Sequence, residues 1–273
     1  MSTKERILIL TPVKDAEEYL DTYFKSLASL SYPSDLISLG FLESDSADGT
    51  FSELEKRLPD LREKYRKVGL WKRDFGYRIP HGEQRWIGEI QAQRRSVLAK
   101  SRNNLLFRAL DDEDWVLWLD VDVVEYPEDI IQSLLETEKD IVQPNCVMEY
   151  GGNCFDLNAW RDKGKTHLHD LRAEGDLVPI HAVGGTMLLV RADVHREGLI
   201  FPAYFYGTRN QRIRRVNFFL VSKKKLLNDG FRVLSKLFKG GYQGEVETEG
   251  LGMMAHDMGY ECWGMPNLEI RHR

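Results

Sequence analysis

A run of five apolar residues, Trp115 to Leu119, stops at two carboxylates that lie one residue apart, Asp120 and Asp122. The run has the length of a buried strand, and Pro127 follows where such a strand would have to end. Two neighbouring carboxylates at the end of an apolar strand repel each other unless a positive charge offsets them. Open α/β sheets hold their ligands at the carboxyl ends of strands, so the pattern predicts such a sheet with a site at that edge.

Apolar runs alternate with amphipathic segments through the first half of the chain. The predicted strands there cover residues 6–10, 36–42, 68–71 and 115–119. The predicted helices cover 15–30, 50 onward with an interruption or a kink at Pro59, and 89–110. Strand, helix and strand in this order favour an α/β fold with a doubly wound sheet. Further on, helices are expected at 127–137 and 247–258 and strands at 140–143, 184–190 and 268–272, whereas residues 145–182 show no clear period.

Composition is typical of a soluble globular protein. The chain has 273 residues, of which 42% are hydrophobic and 30% charged, and no apolar stretch reaches the roughly 18 residues of a membrane span. No apolar signal segment is seen, and three cysteines without Cys-x-x-Cys spacing predict neither a disulfide framework nor structural zinc, so a cytoplasmic location is expected. Since no linker or internal repeat interrupts the chain, we expect a single domain over residues 1–273.

Positive charge is concentrated between Arg209 and Lys239. This segment holds ten Lys or Arg and one acid, Asp229, a net charge of +9, whereas the whole chain carries −5. Apolar residues lie among the lysines, which is typical of peripheral docking on an anionic membrane through residues 209–240. A mobile lid, a surface for an acidic acceptor and an ordinary solvated helical insertion are the alternatives. Nucleic acid is not expected as a partner because the remainder of the chain is acidic.

Two phosphate-binding motifs can be excluded. Gly164-Lys165-Thr166 matches the end of a phosphate loop, but the first glycine of that motif would fall on Ala159. No Gly-x-Gly-x-x-Gly is present, so a dinucleotide site has no support. A sugar-phosphate nucleotidyltransferase would want a glycine-rich, basic loop near the N-terminus, and residues 11–15 offer little of that.

Seven stretches carry a family resemblance that spans nearly the whole chain. They are Thr11-Pro12, Glu43 to Thr50, Ala99 to Leu106, Asp114 to Asp122, Asp156 to Trp160, Val183 to Thr186, and Glu247 to Ala255. Together they resemble GT-A glycosyltransferases, and more specifically the fungal Golgi mannan-polymerase α-mannosyltransferases. The resemblance implies a metal-dependent enzyme that transfers mannose from GDP-mannose with retention of configuration. It further implies a nucleotide-sugar half over residues 1–125 and an acceptor half over 126–273. The basic insertion at about 207–243 falls in the acceptor half and is not part of the family pattern.

The resemblance also assigns a metal site. Asp122 is expected to bind Mn²⁺ or Mg²⁺ directly, and Asp120 through water or by contact with the ribose, because hard carboxylate oxygens suit these ions. His272 is the expected third ligand, as GT-A enzymes often close the site with a histidine near the C-terminus. Two alternatives stay open: the last three residues form a frayed tail, or His256 takes that place. In the absence of a metal, the two acids are ordinary capping or solvated residues.

Donor-binding residues follow from the same resemblance. A carboxylate at the end of the second strand can accept hydrogen bonds from guanine, arginine near the diphosphate can neutralise it, and glycine permits close approach of backbone. The expected donor-binding residues are Pro12, Val13, Glu43, Asp45, Arg102, Asp156, Asn158 and Gly185. Alternatively, Asp45 stabilises a turn or caps a helix. Trp160 is expected either to stack on a sugar or to lie in the core.

Glu247 and Glu249 open the last predicted helix and resemble the acidic motif on the acceptor side. One of them is expected to orient or deprotonate the hydroxyl of a sugar or glycolipid acceptor. Acids are also common in the first turn of a helix, where they interact favourably with its dipole. Two other functions stay open: a transferase that uses a UDP-sugar, and a non-catalytic partner subunit with the same fold. The oligomeric state is not predicted.

Overall fold

The computed structural model describes residues 5–78, 88–207 and 244–273, so the basic segment at 209–240 lies outside the described residues. The strands are β1 (Ile7–Val13), β2 (Ile37–Glu43), β3 (Lys67–Lys72), β4 (Trp115–Leu119), β5 (Val123–Glu125), β6 (Ile141–Val147), β7 (Trp160–Arg161), β8 (Thr166–His167), β9 (Val178–Ile180), β10 (Met187–Arg191) and β11 (Cys262–His272). The α-helices are α1 (Leu20–Ala28), α2 (Thr50–Lys64), α3 (Gly88–Ala109), α4 (Ile130–Leu135), α5 (Ala192–Arg196) and α6 (Glu247–Asp257).

One mixed sheet organises these elements. Its strands follow the order β3-β2-β1-β4-β10-β6-β11-β5, and β9 pairs with β11. Strands β1 to β4 are mutually parallel, whereas β10 is antiparallel to both β4 and β6, and β6 is parallel to β11. Apolar residues of α1, α2 and α4 pack on one face and those of α3, α5 and α6 on the other. The prediction of a doubly wound mixed sheet is therefore confirmed.

Strand direction brings several loops to one edge of this sheet. Because β10 runs opposite to β4 and β6, the strands β1, β2, β4, β6 and β11 all end at the same side. We call this side the carboxyl edge. It carries Val13, Glu43, Asp120 and His272, together with the loop that follows Val147.

The structure differs from the sequence expectations at α2 and between residues 145 and 182. Helix α2 is not interrupted at Pro59, which lies inside it and is exposed. Residues 145–182, which show no period, contain the hairpin β7–β8, a 3₁₀ helix over Leu168–Glu174 and the edge strand β9. These elements are too short for a period to emerge, and β9 pairs with β11, which is distant in sequence.

The three cysteines are free and buried. Among the described residues, no helix has the length and apolarity needed to cross a membrane.

Candidate active site

Arg102 lies at the centre of a buried charge network beneath the carboxyl edge. Its side chain, on α3, is 1% exposed and its Nη2 donates to Asp120 Oδ1 at 2.9 Å. Its Nε lies 3.0 Å from Glu247 Oε1, and Nη2 also reaches the carbonyl of Gly185 at 3.3 Å. The guanidinium packs against the rings of Trp118 and Phe201. These partners enclose Arg102, which lies behind Asp120. There its positive charge offsets the negative charges of Asp120 and Glu247.

Asp120 retains 28% exposure of its side chain while its backbone N–H donates to the carbonyl of Thr186 at 2.9 Å. Burial raises the pKa of Asp120 to about 7 against the effect of Arg102, and the carboxylates of Asp122 and Glu247 act in the same direction as burial. A carboxylate in this position favours a further positive charge beside it.

Asp122 faces the last strand. Its Oδ2 lies 3.1 Å from Nε2 of His272, whose backbone pairs with Val123 where β11 meets β5. Burial opposes ionisation of Asp122, but the hydrogen bond from His272 holds the pKa of the carboxyl below its ordinary value. Burial likewise lowers the pKa of His272, yet the hydrogen bond to Asp122 raises it on balance. His256 instead lies near Ile180, whose carbonyl is 3.2 Å from its Nε2.

A glycine turn abuts this network. Asp156 is buried, and its Oδ2 accepts hydrogen bonds from the backbone N–H groups of Gly185 and Thr186 at 2.9 and 3.3 Å. Its Oδ1 accepts from the backbone N–H of Asn158 at 3.1 Å. A Cβ on Gly185 would lie 2.6 Å from Arg102 Nη2, so only glycine leaves room for the guanidinium. Asp156 therefore stabilises the turn that packs against Arg102.

The first turn of α6 carries the two glutamates. Glu249 is held by Arg95 Nη1 at 2.5 Å and by the indole N–H of Trp160 at 2.7 Å. Glu247 is buried with φ of 61°, a left-handed conformation that is strained for a side chain of this size. Strain of this kind persists only where the surroundings hold it and is concentrated at functional sites. Here the ion pair with Arg102 and a hydrogen bond from the Glu247 N–H to the Pro202 carbonyl hold it.

The nucleotide-side residues lie on the neighbouring strands of the carboxyl edge. Glu43 is buried, accepts from the backbone N–H of Ser46 at 2.8 Å and lies 3.3 Å from Lys72 Nζ. Asp45 accepts from the backbone N–H groups of Phe75 and Gly76, both at 2.9 Å. Asp45 therefore ties the loop after β2 to the loop after β3.

Pro12 and Val13 form the end of β1 between β2 and β4. Val13 is buried and its carbonyl accepts from the backbone N–H of Ser44 at 3.1 Å. The backbone of β1 is thereby fixed to the loop that carries Asp45.

Two residues of the network were not anticipated. Arg95 joins Glu247 and Glu249, and Phe155 stacks on His272 with ring centroids 3.7 Å apart. Arg95 and Arg102 are seven residues apart, which is two turns of one helix face, so their spacing was a usable signal. Nothing in the local sequence marks Phe155, because its partner lies more than a hundred residues away.

Among the described residues, no group of three or more His, Cys, Asp or Glu is arranged to hold a metal ion. Asp122 and His272 are nevertheless fitted to be neighbouring ligands, because two cis ligands about 2.1 Å from an octahedral ion are separated by about 3.0 Å. The remaining positions would fall to water and to a ligand, as Mg²⁺ usually requires.

Comparison with known proteins gives consistent matches. A family model described as Anp1 matches residues 1–174 and 164–205. The mannan polymerase complex subunit mnn9 of Schizosaccharomyces pombe is 32% identical over 98% of this chain and 80% of its own length. The mannan polymerase II complex anp1 subunit of the same organism is 28% identical over 99% of this chain but only 64% of its own length. The chain thus spans less than two thirds of that second relative.

A solved structure of GalNAc-T7 with UDP, GalNAc and Mn²⁺ aligns over 100% of this chain and 44% of its own, with a TM-score of 0.56 and 10% identity. At this identity the likeness concerns the fold alone. The mixed sheet, the carboxyl-edge site, the model match and the 32% identical relative agree, and they show that this chain belongs to the Anp1 family and has the GT-A fold of glycosyltransferases.

Proposed function

We propose that this protein transfers mannose from GDP-mannose to a hydroxyl of a saccharide or glycolipid acceptor in a Mn²⁺- or Mg²⁺-dependent reaction. The observation that carries the proposal is the pair of Asp122 and His272 at the carboxyl edge, next to Asp120. A bound divalent ion would neutralise the departing diphosphate as a Lewis acid. The names of the two S. pombe relatives support mannan as the product class and a complex with other subunits as the working form.

The carboxylates Asp120 and Asp122 would hold the ion with His272, while Glu43 and the backbone of Pro12 and Val13 would contact the nucleoside. Glu43 lies buried at the end of β2 and, among the described residues, is ion-paired only with Lys72, which supports a role in reading the base. Gly185 and Asn158 would face the donor sugar through the turn that Asp156 shapes.

Retention of configuration is part of the proposal. Inversion needs a carboxylate that can take the proton of the acceptor hydroxyl. Both oxygens of Glu249 already accept hydrogen bonds, from Arg95 and from Trp160. Glu247 is ion-paired with Arg102 beneath the edge. These contacts support an orienting role for Glu249 and a positioning role for Glu247, and neither supports a general base.

Calorimetric titration of GDP, UDP and their mannose and glucose derivatives, with and without Mn²⁺, tests the proposal. GDP and GDP-mannose should bind more tightly when Mn²⁺ is present, and Asp122→Asn should weaken that metal-dependent binding by at least about tenfold. Asp21→Asn is the matched control, because Asp21 is a strongly exposed acid on α1 that should leave binding unchanged.

Metal-independent binding, or wild-type affinity in Asp122→Asn, would overturn the metal site. Preference for UDP would overturn the mannose donor and leave a nucleotide-sugar transferase. Proton NMR of the product decides the anomeric configuration.

A non-catalytic subunit is the second candidate, and one observation favours it. Asp120 is already ion-paired with Arg102, so the protein holds part of this site together without a metal. GDP binding without any transfer to mannose oligosaccharides, alone or with a partner subunit, would support this candidate over the enzyme.

A further inference from the structure

Residues 148–157 expose an unusual set of apolar side chains. We call this segment the 148–157 loop, and its exposed members are Met148 at 46%, Tyr150 at 53%, Phe155 at 42% and Leu157 at 55%. Exposed apolar side chains are ordinary when scattered singly, whereas an exposed apolar patch is typical of a binding surface. The loop follows β6 and therefore leaves the sheet at the carboxyl edge.

The end of the loop inverts the usual burial pattern. Successive residues alternate, with Cys154 and Asp156 buried and Phe155 and Leu157 exposed. Asp156 turns inward because it accepts hydrogen bonds from Gly185 and Thr186, and this orientation directs its apolar neighbours outward. Polar residues at both exposed positions would satisfy the same backbone geometry and avoid the contact of apolar surface with water.

Polar contacts hold the loop in place. Glu269 accepts from the backbone N–H of Gly151 at 2.7 Å, and Arg172 donates to the carbonyl of Gly152 at 2.5 Å. The backbone N–H of Phe155 donates to the carbonyl of Cys146 at 2.7 Å. His169 lies 2.8 Å from Cys154 Sγ. Since the loop is fastened from several sides, its apolar side chains are presented in fixed positions, which lowers the entropic cost of binding.

The loop is continuous with the candidate active site. The ring of Phe155 stacks on His272, with an interplanar angle of 22°, and His272 meets Asp122. Burial and the nearby carboxylate of Glu125 raise the pKa of Tyr150, and Glu125 also pairs with Arg271 beside His272. The loop therefore lies directly beside the residues proposed to hold the metal ion.

We infer that the 148–157 loop is the binding surface for the saccharide chain of the acceptor, which it holds by the apolar C–H faces of its pyranose rings. Aromatic and aliphatic side chains pack against such faces and leave the hydroxyl groups in water. The inference rests on the proposed function, since it names the acceptor as an oligosaccharide and not as a single sugar. It also assigns acceptor-length specificity to Leu157 and Phe155.

The test measures binding of mannan in the absence of any nucleotide, by electrophoresis of the full chain in native gels that contain mannan. Wild-type protein should be retarded, and Leu157→Asn and Phe155→Ala should each weaken the retardation by about fivefold. Phe107→Ala is the matched control, because Phe107 is a strongly exposed aromatic near the end of α3, at the opposite edge of the sheet. It should behave as wild type.

Calorimetric binding of GDP with Mn²⁺ checks that Leu157→Asn, which does not touch His272, is folded. If it binds GDP normally and retains wild-type affinity for mannan, the inference is wrong while the proposed function stands. If no variant or wild-type protein binds GDP but mannan retardation depends on Leu157 and Phe155, the loop still binds saccharide and the transferase fails. Unchanged mannan affinity with a lower mass in light scattering would overturn the inference in favour of an interface between protein chains.

Discussion

His195 lies on α5 and is buried against β4. Both nitrogens of its ring make hydrogen bonds there. The indole N–H of Trp118 lies 3.3 Å from Nε2, and the carbonyl of Leu199 lies 2.7 Å from Nδ1. Because an indole can only donate, Nε2 must accept and Nδ1 must carry the proton. Burial lowers the pKa of His195 to about 4. The neutral imidazole is therefore part of the folded structure.

This single side chain makes stability depend on pH. The unfolded chain binds the proton near pH 6.5 and the folded chain only near pH 4, so the contribution is complete above about pH 6.5 and declines as the pH falls towards 4. The free energy of unfolding falls by about 3 kcal/mol over this pH range. Urea denaturation at pH 7.5, 6.5, 5.5 and 4.5 measures it.

The His195→Gln variant is the reference, because glutamine does not titrate. It should show a flatter dependence of the free energy of unfolding on pH than the wild type. Equal slopes in the two proteins would contradict the lowered pKa of His195.

Two glycines of helix α6 let its backbone pack closely against other segments of the protein. A Cβ on Gly252 would lie 2.9 Å from the Ala182 Cα and 2.9 Å from the His181 carbonyl oxygen. A Cβ on Gly250 would lie 2.5 Å from Pro202 Cγ. Glycine normally weakens a helix by about 1 kcal/mol relative to alanine. Its presence at both positions is explained by this close packing, which also places Glu247 and Glu249.

Gly252→Ala should consequently destabilise the protein although it raises helix propensity. Displacing backbone atoms at 2.9 Å costs more than the propensity gains, so we expect a net loss of about 1–3 kcal/mol. Chemical denaturation of the variant and of Ser52→Ala measures it, since Ser52 is exposed on α2 and should change by less than about 0.5 kcal/mol. A stabilised Gly252→Ala would show that α6 has room to shift.

The buried charge network connects the two predicted halves of the molecule. Arg102 of α3 pairs with Asp120 at the end of β4 and with Glu247 of α6, while Arg95 pairs with Glu249. A buried ion-pair network stabilises a protein little more than apolar side chains of the same size would. Removing one member, however, leaves a buried charge without a partner and is strongly destabilising. The network thus makes the position of α6 depend on α3.

Arg102→Met should lower the free energy of unfolding by about 3–5 kcal/mol, because Asp120 and Glu247 lose their shared counter-charge. Thermal and urea unfolding measure the change against Lys100→Met, an exposed position on the same helix. Adding Asp120→Asn to Arg102→Met should recover part of the loss by removing one of the two carboxylates. No recovery would mean that packing of Arg102 on Trp118 and Phe201 dominates.

Much of the architecture could be predicted because its signals are local. The apolar run at 115–119 became β4, the segment at 89–110 became α3, and the acid pair came to lie at the carboxyl edge. Burial and hydrogen-bond periodicity act over a few neighbouring residues, so they leave a trace in the sequence. The short elements between 145 and 182 left no such trace. Strands β7 and β8 have two residues each, and β9 forms where the distant strand β11 pairs with it.

The sequence alone determined most of the longer strands and helices and that carboxylates gather where the parallel strands end. Only the tertiary structure decided how those charges pair: Arg102 with Asp120 and Glu247, Arg95 with Glu249, and His272 with Asp122 and Phe155. The physical reason is distance along the chain. Propensity and periodicity are properties of neighbours, whereas the partner of a buried charge is chosen by the packing that excludes water around it.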